Sequence, residues 1–391
     1  MREGQGCCID KKSIIKRRKI EKADDILEKA ANHHHIPDDI LFDIIIRLPP
    51  KSLHRFKSVS KEWCSLIQDQ TFQDFYYDRR RQQANETHTI RLFVRSGDHY
   101  GFYFIDHAGI ASKIGVGVMF CAATFSDPLV PACNGLICFL GGENKLRVWN
   151  PATKQIITLP KPDFIEEDGR GPNIRLGFGF DNFSRKFKVV GCHGCSQFQV
   201  LTLGDKKWRT VEGSRIRTDF VLDKVIHVNG VLYWVNTRRR PKVALYTMEN
   251  ILRGPFTITS FNLADEKFVE VPIPSDDVGF TNLGHRLCEL EGHLCLISHD
   301  RNTLDMWVLI TSNEQRPQWV NQRIVLPFEM VYMDSILPIQ DGEILIQCHK
   351  ENCFFLCRYN QEGKVLNTTK INGLSPYLFV VGNYVESLVN L

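Results

Sequence analysis

The sequence is 391 residues long and has no apolar run near the ~20 residues a membrane-spanning helix needs, so no membrane partner is expected. It also lacks a dominant charge. Its 49 Lys and Arg face 45 Asp and Glu, and the net +4 is too small over such a chain to build a polyanion-binding field, so nucleic acid is not an expected partner. Gly-x-Ser-x-Gly, His-Glu-x-x-His and Gly-Lys-Ser/Thr signatures are all missing, which removes the usual sequence grounds for a serine hydrolase, a zinc protease or a phosphate-binding loop. Gly177-x-Gly179 precedes a strand instead of opening a helix, so it makes no phosphate cradle. Cys192-His193-Gly194-Cys195 is a lone pair of candidate ligands, with Cys353 and Cys357 far along the chain, whereas structural zinc takes four. No catalytic residue, metal or cofactor is therefore assigned.

What is present is the composition of a soluble globular protein, 43% hydrophobic and 24% charged. The thirteen cysteines are odd in number and sit mostly in apolar runs such as LICFL, HLCLI and CFFLC, behind an opening, MREGQGCCIDKK, without an apolar segment. Reduced core thiols in a cytoplasmic or nuclear protein are expected. The length suits about two or three domains or one large repeat array.

Residues 1–35 are expected to be a basic, disordered lead-in. Lys11, Lys12, Lys16, Arg17, Arg18 and Lys19 read as a solvated tail or a nuclear-import signal, and His33 to His35 as linker. From residue 36 the texture is helical. Pro37 suits a first helical position, Asp38 and Asp39 suit the positive end of the helix dipole, and Ile40, Leu41, Ile44, Ile45 and Leu48 follow at helical spacing. Pro49-Pro50 stops that helix. Ser52 is placed to cap a second with Leu53, Phe56 and Val59, and a third begins near Ser60 with Glu62, Trp63, Leu66 and Ile67. About forty residues of short helix cannot enclose their own apolar faces, so some of these side chains should meet a partner, Phe56 and Trp63 first among them; filling a local core against the following domain is the other reading.

Beyond about residue 88 apolar runs of strand length alternate with turn signals. Asn134-Gly135, Asn229-Gly230, Glu291-Gly292 and Asp341-Gly342 each precede a strand, and a polar hairpin turn follows in WNPATKQIITLP, LTLGDKKWRTV, FNLADEKFVEVPIP and RYNQEGKVLN. These second turns fall from Asn150 to Asp205, Asp265 and, by way of Gln318, Gln361, a period of roughly fifty residues as in four-stranded propeller blades. The expected units are 90–125, 126–170, 171–218, 219–280, 281–330 and 331–385. The fold expected is a small all-α three-helix module at 36–80, then an all-β kelch-like propeller of about six blades at 88–391; stacked sandwich domains explain the strands but not the fixed order of turns.

Residues 36–72, IPDDILFDIIIRLPPKSLHRFKSVSKEWCSLIQDQTF, resemble the F-box of plant F-box/kelch proteins that carry an F-box-associated domain. CNGLICFL, WNPATKQIITLP, LGFGFDNFSRKFKVV, VNGVLYWV, SFNLADEKFVEVPIP and YVESLV resemble the recurrent segments of that domain, in its order. The resemblance implies a non-catalytic substrate receptor of an SCF-type ubiquitin ligase, whose F-box binds a Skp-type adaptor and through it a cullin, while the associated domain binds the protein to be ubiquitinated. Carried over residue by residue, the adaptor contacts would be Ile36, Pro37, Ile40, Leu41, Ile44, Leu48, Leu53, Phe56, Val59, Trp63 and Leu66. Ile36 stands where Leu is usual, Pro50 lengthens the break before Leu53, and Ser58 replaces a common Cys, but no apolar anchor is lost.

In a blade, the turn between strands one and two and the turn between strands three and four share one face, and the turn between strands two and three lies on the other. Those second-face loops are 141–145, 191–197, 236–242, 298–303 and 349–353, unlike one another in length and chemistry, as recognition loops on a rigid scaffold tend to be. They supply the candidate target-binding residues Glu143, Asn144, His193, Arg238, Arg239, Arg240, Asp300, Arg301 and Lys350, with the arginine triplet suited to an acidic or phosphorylated segment or simply solvated. Two other functions fit the same residues: an adaptor-binding protein that does not drive degradation, and a propeller enzyme or glycan-binding domain with an incidental helical lead-in.

Overall fold

Short helices begin the described chain, each bounded by the residues that the backbone requires there. The computed structural model describes residues 38–86, 92–96, 101–105, 110–113, 130–141, 145–165, 174–193, 197–211, 225–237, 256–274, 285–300, 302–312, 315–328, 336–338, 342–350, 353–371 and 378–391. Helix α1 (Asp38–Ile45) carries its acidic pair at the N-terminal end and stops before Pro49. Helix α2 (Pro50–Phe56) starts on Pro50, with Pro49 as a cap that makes no side-chain bond. Ser52 thus lies inside this helix and does not cap it: a proline at the first position needs no N–H, so the helix starts three residues earlier. Helix α3 (Lys61–Gln68) is capped by Ser60, whose hydroxyl accepts the Trp63 N–H at 3.2 Å.

A fourth helix was not expected. Asp69 accepts the Phe72 N–H at 3.0 Å and opens α4 (Gln70–Glu86), 17 residues long, which runs past the boundary expected at residue 80. Phe72, Phe75 and Tyr76 give it an apolar stripe at the i, i+3, i+4 spacing, and Phe42 meets Phe72 edge to face at 5.6 Å.

The sheets stand in chain order. The second holds β4 (Ile137–Gly141), β5 (Lys145–Asn150) and β6 (Gln155–Thr158). The third holds β7 (Ile174–Asp181), β8 (Lys186–His193), β9 (Gln199–Thr202) and β10 (Arg209–Thr210), and the fourth β11 (Ile226–Val228), β12 (Val231–Thr237), β13 (Phe256–Asn262) and β14 (Phe268–Val271). The fifth holds β15 (His285–Leu290), β16 (His293–Asp300), β17 (Thr303–Ser312) and β18 (Gln315–Val325), and the sixth β19 (Ile336–Pro338), β20 (Ile344–Lys350), β21 (Cys353–Tyr359) and β22 (Val365–Ile371). The first sheet draws on both ends of the chain: β1 (Leu92–Ser96), β2 (Gly101–Ile105) and β3 (Ala111–Lys113) add to β23 (Leu378–Asn383), in the order β23-β1-β2-β3.

Among the described residues five sheets are therefore four-stranded blades, where about six blades were expected. The sheet of β4, β5 and β6 has three strands among the described residues, and ahead of its Asn134-Gly135 turn those residues show one bridged pair, Cys133 with Leu136. The last expected unit also ends too late, since 378–383 crosses to the first blade. Gln318 is not a turn but a β18 residue opposite Ile310, the reversal lying between Ser312 and Gln315. Gly177 and Gly179 stand inside β7, where a Cβ at 177 would come within 2.8 Å of Leu232 and one at 179 within 2.5 Å of His227. Their bare backbone lets the next blade approach.

Burial falls from inner to outer strands. Seven of the eight β7 residues and all of β9 are buried, because blades cover both faces, while β10 is fully exposed and β22 nearly so. The apolar cores lie between successive sheets. Leu140, Val148, Phe178 and Val189 join the second and third; Cys192, Phe198, Trp234 and Phe261 join the third and fourth. Cys295, Met306, Ile346 and Cys357 join the fifth and sixth. Cys138 and Cys295 are core thiols, as the apolar runs around them suggested.

Candidate functional site

On the helical module the apolar candidates divide into two groups. Leu53 (0% exposed) and Leu66 (4%) are enclosed in a core with Ile45, Ile67, Phe72 and Tyr76 and offer a partner no surface, a correction to their expected role. Leu41, Leu48, Phe56 and Trp63 are partly buried against that core, Phe56 and Trp63 meeting edge to face at 5.3 Å. Ile40 (48%), Ile44 (46%) and Val59 (65%) remain exposed. Ile40 and Ile44 are one turn apart on one side of α1. Ile36 and Pro37 lie outside the described residues.

The module is seated on one particular face of the propeller. Asp74 of α4 pairs with Arg185 in the β7–β8 turn, and Arg81 reaches Glu289 at 3.3 Å beside the β15–β16 turn. Glu289 also accepts the Gly292 N–H at 2.7 Å, and Asn229 of the β11–β12 turn donates to the Gly292 carbonyl at 2.8 Å, so neighbouring turns are tied together under the helix. Asn229 (φ 48°) and Glu291 (φ 50°) hold these turns in left-handed backbone. Tyr76 donates to the Leu48 carbonyl at 3.0 Å, and burial, partly offset by Arg80, pushes its hydroxyl up to about 12.

Strand order puts the loops after β4, β8, β12, β16 and β20 at the opposite end of each blade from the α4 contacts. His193, Asp300 and Lys350 close β8, β16 and β20 there. Glu143, Asn144, Arg238, Arg239, Arg240 and Arg301 lie outside the described residues, as does Cys195, the partner of buried Cys192. Among the described residues no group of three or more His, Cys, Asp or Glu is arranged to hold a metal, and no helix is long and apolar enough to cross a membrane.

Two polar arrangements were missed in the sequence. Between the third and fourth sheets Lys188 is buried within 3.1 Å of Asp181 and 3.0 Å of Glu266, which also pairs with Arg209. Burial pushes the Asp181 carboxyl up, but hydrogen bonds from Ser184, Lys188 and the N–H groups of Phe183 and Ser184 outweigh it and hold it at about 2. His227 places Nε2 3.1 Å from the Gly230 N–H and 3.2 Å from both the N–H and the carbonyl oxygen of Phe180, and Nδ1 3.5 Å from the Cys133 Sγ. Burial lowers this imidazole to about 4 and raises the Cys133 thiol, so the pair is neutral and serves as internal support. Nothing in IHVNG or PACNG separated these residues from ordinary strand ends.

A four-helix module fastened to the turn face of a propeller, with apolar side chains left outward, defines a two-part architecture. The model of the F-box domain matches residues 34–74, and that of the F-box associated beta propeller domain matches 114–387. The chain belongs to the F-box associated β-propeller family. It is 28% identical to F-box protein At1g30790 of Arabidopsis thaliana, over 87% of this chain and 90% of that protein. F-box protein At5g65850 of the same plant is 26% identical, over 96% of this chain and 95% of its own length. Among solved structures TolB from Acinetobacter baumannii matches with a TM-score of 0.45 at 10% identity, covering 80% of this chain and 73% of that one.

Proposed function

We propose that this protein is the target-binding subunit of an SCF-type ubiquitin ligase of the cytoplasm or nucleus, with the helical module docking a Skp-type adaptor, and through it a cullin, and the propeller holding the protein to be modified. The observation that carries this reading is the exposure of Ile40 and Ile44 on one side of α1, with Val59 exposed as well, in a module whose other large apolar side chains are buried or half-buried. Two large aliphatic residues at i, i+4 on a short helix suit a hydrophobic groove. Ile36, Pro37, Leu41, Leu48, Val59 and the outer edges of Phe56 and Trp63 would extend that contact. Leu53 and Leu66 support it from beneath.

The chain itself performs no bond chemistry in this scheme. Its contribution is proximity: a bound target is held near the ubiquitin-conjugating machinery, which raises the effective concentration of acceptor lysines. The second-to-third-strand loops are the proposed target surface, because the opposite face is taken up by α4.

Ile40→Asp with Ile44→Asp tests the docking half. Placing two carboxylates in an apolar groove should weaken adaptor binding by about 100-fold or more, with melting temperature and far-ultraviolet circular dichroism unchanged. Undiminished copurification with the adaptor would overturn the assignment. The same variant serves as a trap, since it retains targets without delivering them to the ligase.

A further inference from the structure

After β23 completes the first blade, residues 384–391 leave the sheet as an irregular strand running between propeller and helices. Tyr384 anchors its start, stacked on Phe104 with ring centroids 4.4 Å apart. From Glu386 onward the side chains alternate, as an extended chain requires. Glu386 meets Arg80 at 3.6 Å, Leu388 is fully enclosed in the helical core, and the Asn390 amide oxygen accepts from Lys57 at 3.0 Å. Ser387 lies against Gly135, while Val389 and Leu391 pack on the core between the second and third sheets.

The propeller grips this segment through one fully buried side chain. Asn150 at the end of β5 donates from Nδ2 to the carbonyls of Ser387 (3.2 Å) and Val389 (2.8 Å), while its Oδ1 accepts the N–H groups of Ala152 and Thr153 in the β5–β6 turn. The Leu391 N–H donates to the Gln155 side chain at 3.2 Å. The direct contacts between module and propeller include the partly exposed ion pairs of Asp74 and Arg81, of the kind that contributes little, and Tyr77 of α4, which lies partly buried close to Cys133 and Glu289.

We infer that residues 386–391 form a strap that fixes the orientation of the helical module on the propeller, with Leu388 and Asn150 as its positioning residues. Leu388 locks the strap into the module and Asn150 locks it onto the second sheet. The inference rests on the receptor reading for its consequence: the strap sets the direction in which a target on the far face is presented to the ligase. Its geometry stands independently of that reading.

Fluorophores on noncanonical residues at exposed His54 and Lys370 would report the distance between the two parts in the full chain. The wild type should give one narrow distribution. Leu388→Ala and, separately, Asn150→Ala should widen it at least twofold while adaptor binding stays within twofold of wild type, and Leu388→Met should restore it. Asn150→Ala leaves the helical core intact, so it decides the matter if Leu388→Ala unfolds the module. A distribution that stays narrow in Asn150→Ala overturns the strap. Failure of wild type to bind the adaptor would refute the receptor reading and leave the distance result standing.

Discussion

The helical module and the blades face the same task of enclosing apolar side chains, and they differ in how far each succeeds. Between sheets, Leu296, Met306 and Ile344 are wholly buried because each blade is covered by the next. The helices have no such neighbour on every side. They take in Leu388 from the far end of the chain to complete a core, and Ile40, Ile44 and Val59 are still left outside. An array closes on itself, whereas a small module of four helices remains dependent on what it touches.

Truncation on the two sides of the module gives the sharpest contrast. Leu53→Ala, which opens a cavity at a fully buried position, should cost about 2–5 kcal/mol, while Ile44→Ser should fall within about 0.5 kcal/mol, both read by chemical denaturation monitored at Trp63. Equal costs would mean that α1 is covered on both sides and would remove the basis for adaptor docking.

A second contrast is in pH. His227 titrates lower in the folded propeller than in the unfolded chain, so it contributes stability that is complete above the unfolded value near 6.5 and is lost as the pH falls toward about 4. The loss, up to about 3 kcal/mol, belongs to the propeller, and His227→Gln should flatten it in denaturant titrations between those limits. An acid sensitivity that survives the substitution would place its source elsewhere.

The smallest effect expected is at the strap. Gly135 holds φ at 75°, and a Cβ there would lie 2.8 Å from the Ser387 backbone nitrogen. Gly135→Ala, where strain and clash add, should cost about 2 kcal/mol, against about 1 kcal/mol for Gly204→Ala, whose φ is also positive but whose surroundings are open, as thermal melts would show.

These differences track what could be read in the sequence. Hairpin turns were legible because Asn-Gly and Glu-Gly must adopt left-handed backbone wherever strands reverse, and the loop ends of the blades followed from counting them. Helix α4 was not, since FQDFYYDRRRQQ is polar on most of its surface and shows only the Phe72, Phe75, Tyr76 stripe. Nor was the partnership of β23 with β1, in which Leu378 stands opposite Ser96, because no local pattern encodes a pairing across so much chain. The outward residues of the candidate site, Ile40 and Ile44, were found by helical spacing. Spacing could not separate them from Leu53 and Leu66, because burial there depends on α4 and on Leu388.

The pairing of β23 with β1 bears on biosynthesis. Domains ordinarily fold in the order they emerge from the ribosome. Here the first blade lacks its inner strand, and the helices lack Leu388, until residues 378–391 have been made. The blades between can assemble earlier, yet the first blade and the helical core both wait for this one segment. A polypeptide interrupted before that point would expose both an unpaired strand edge and an unfinished helical core, and quality control would meet it as one defective product.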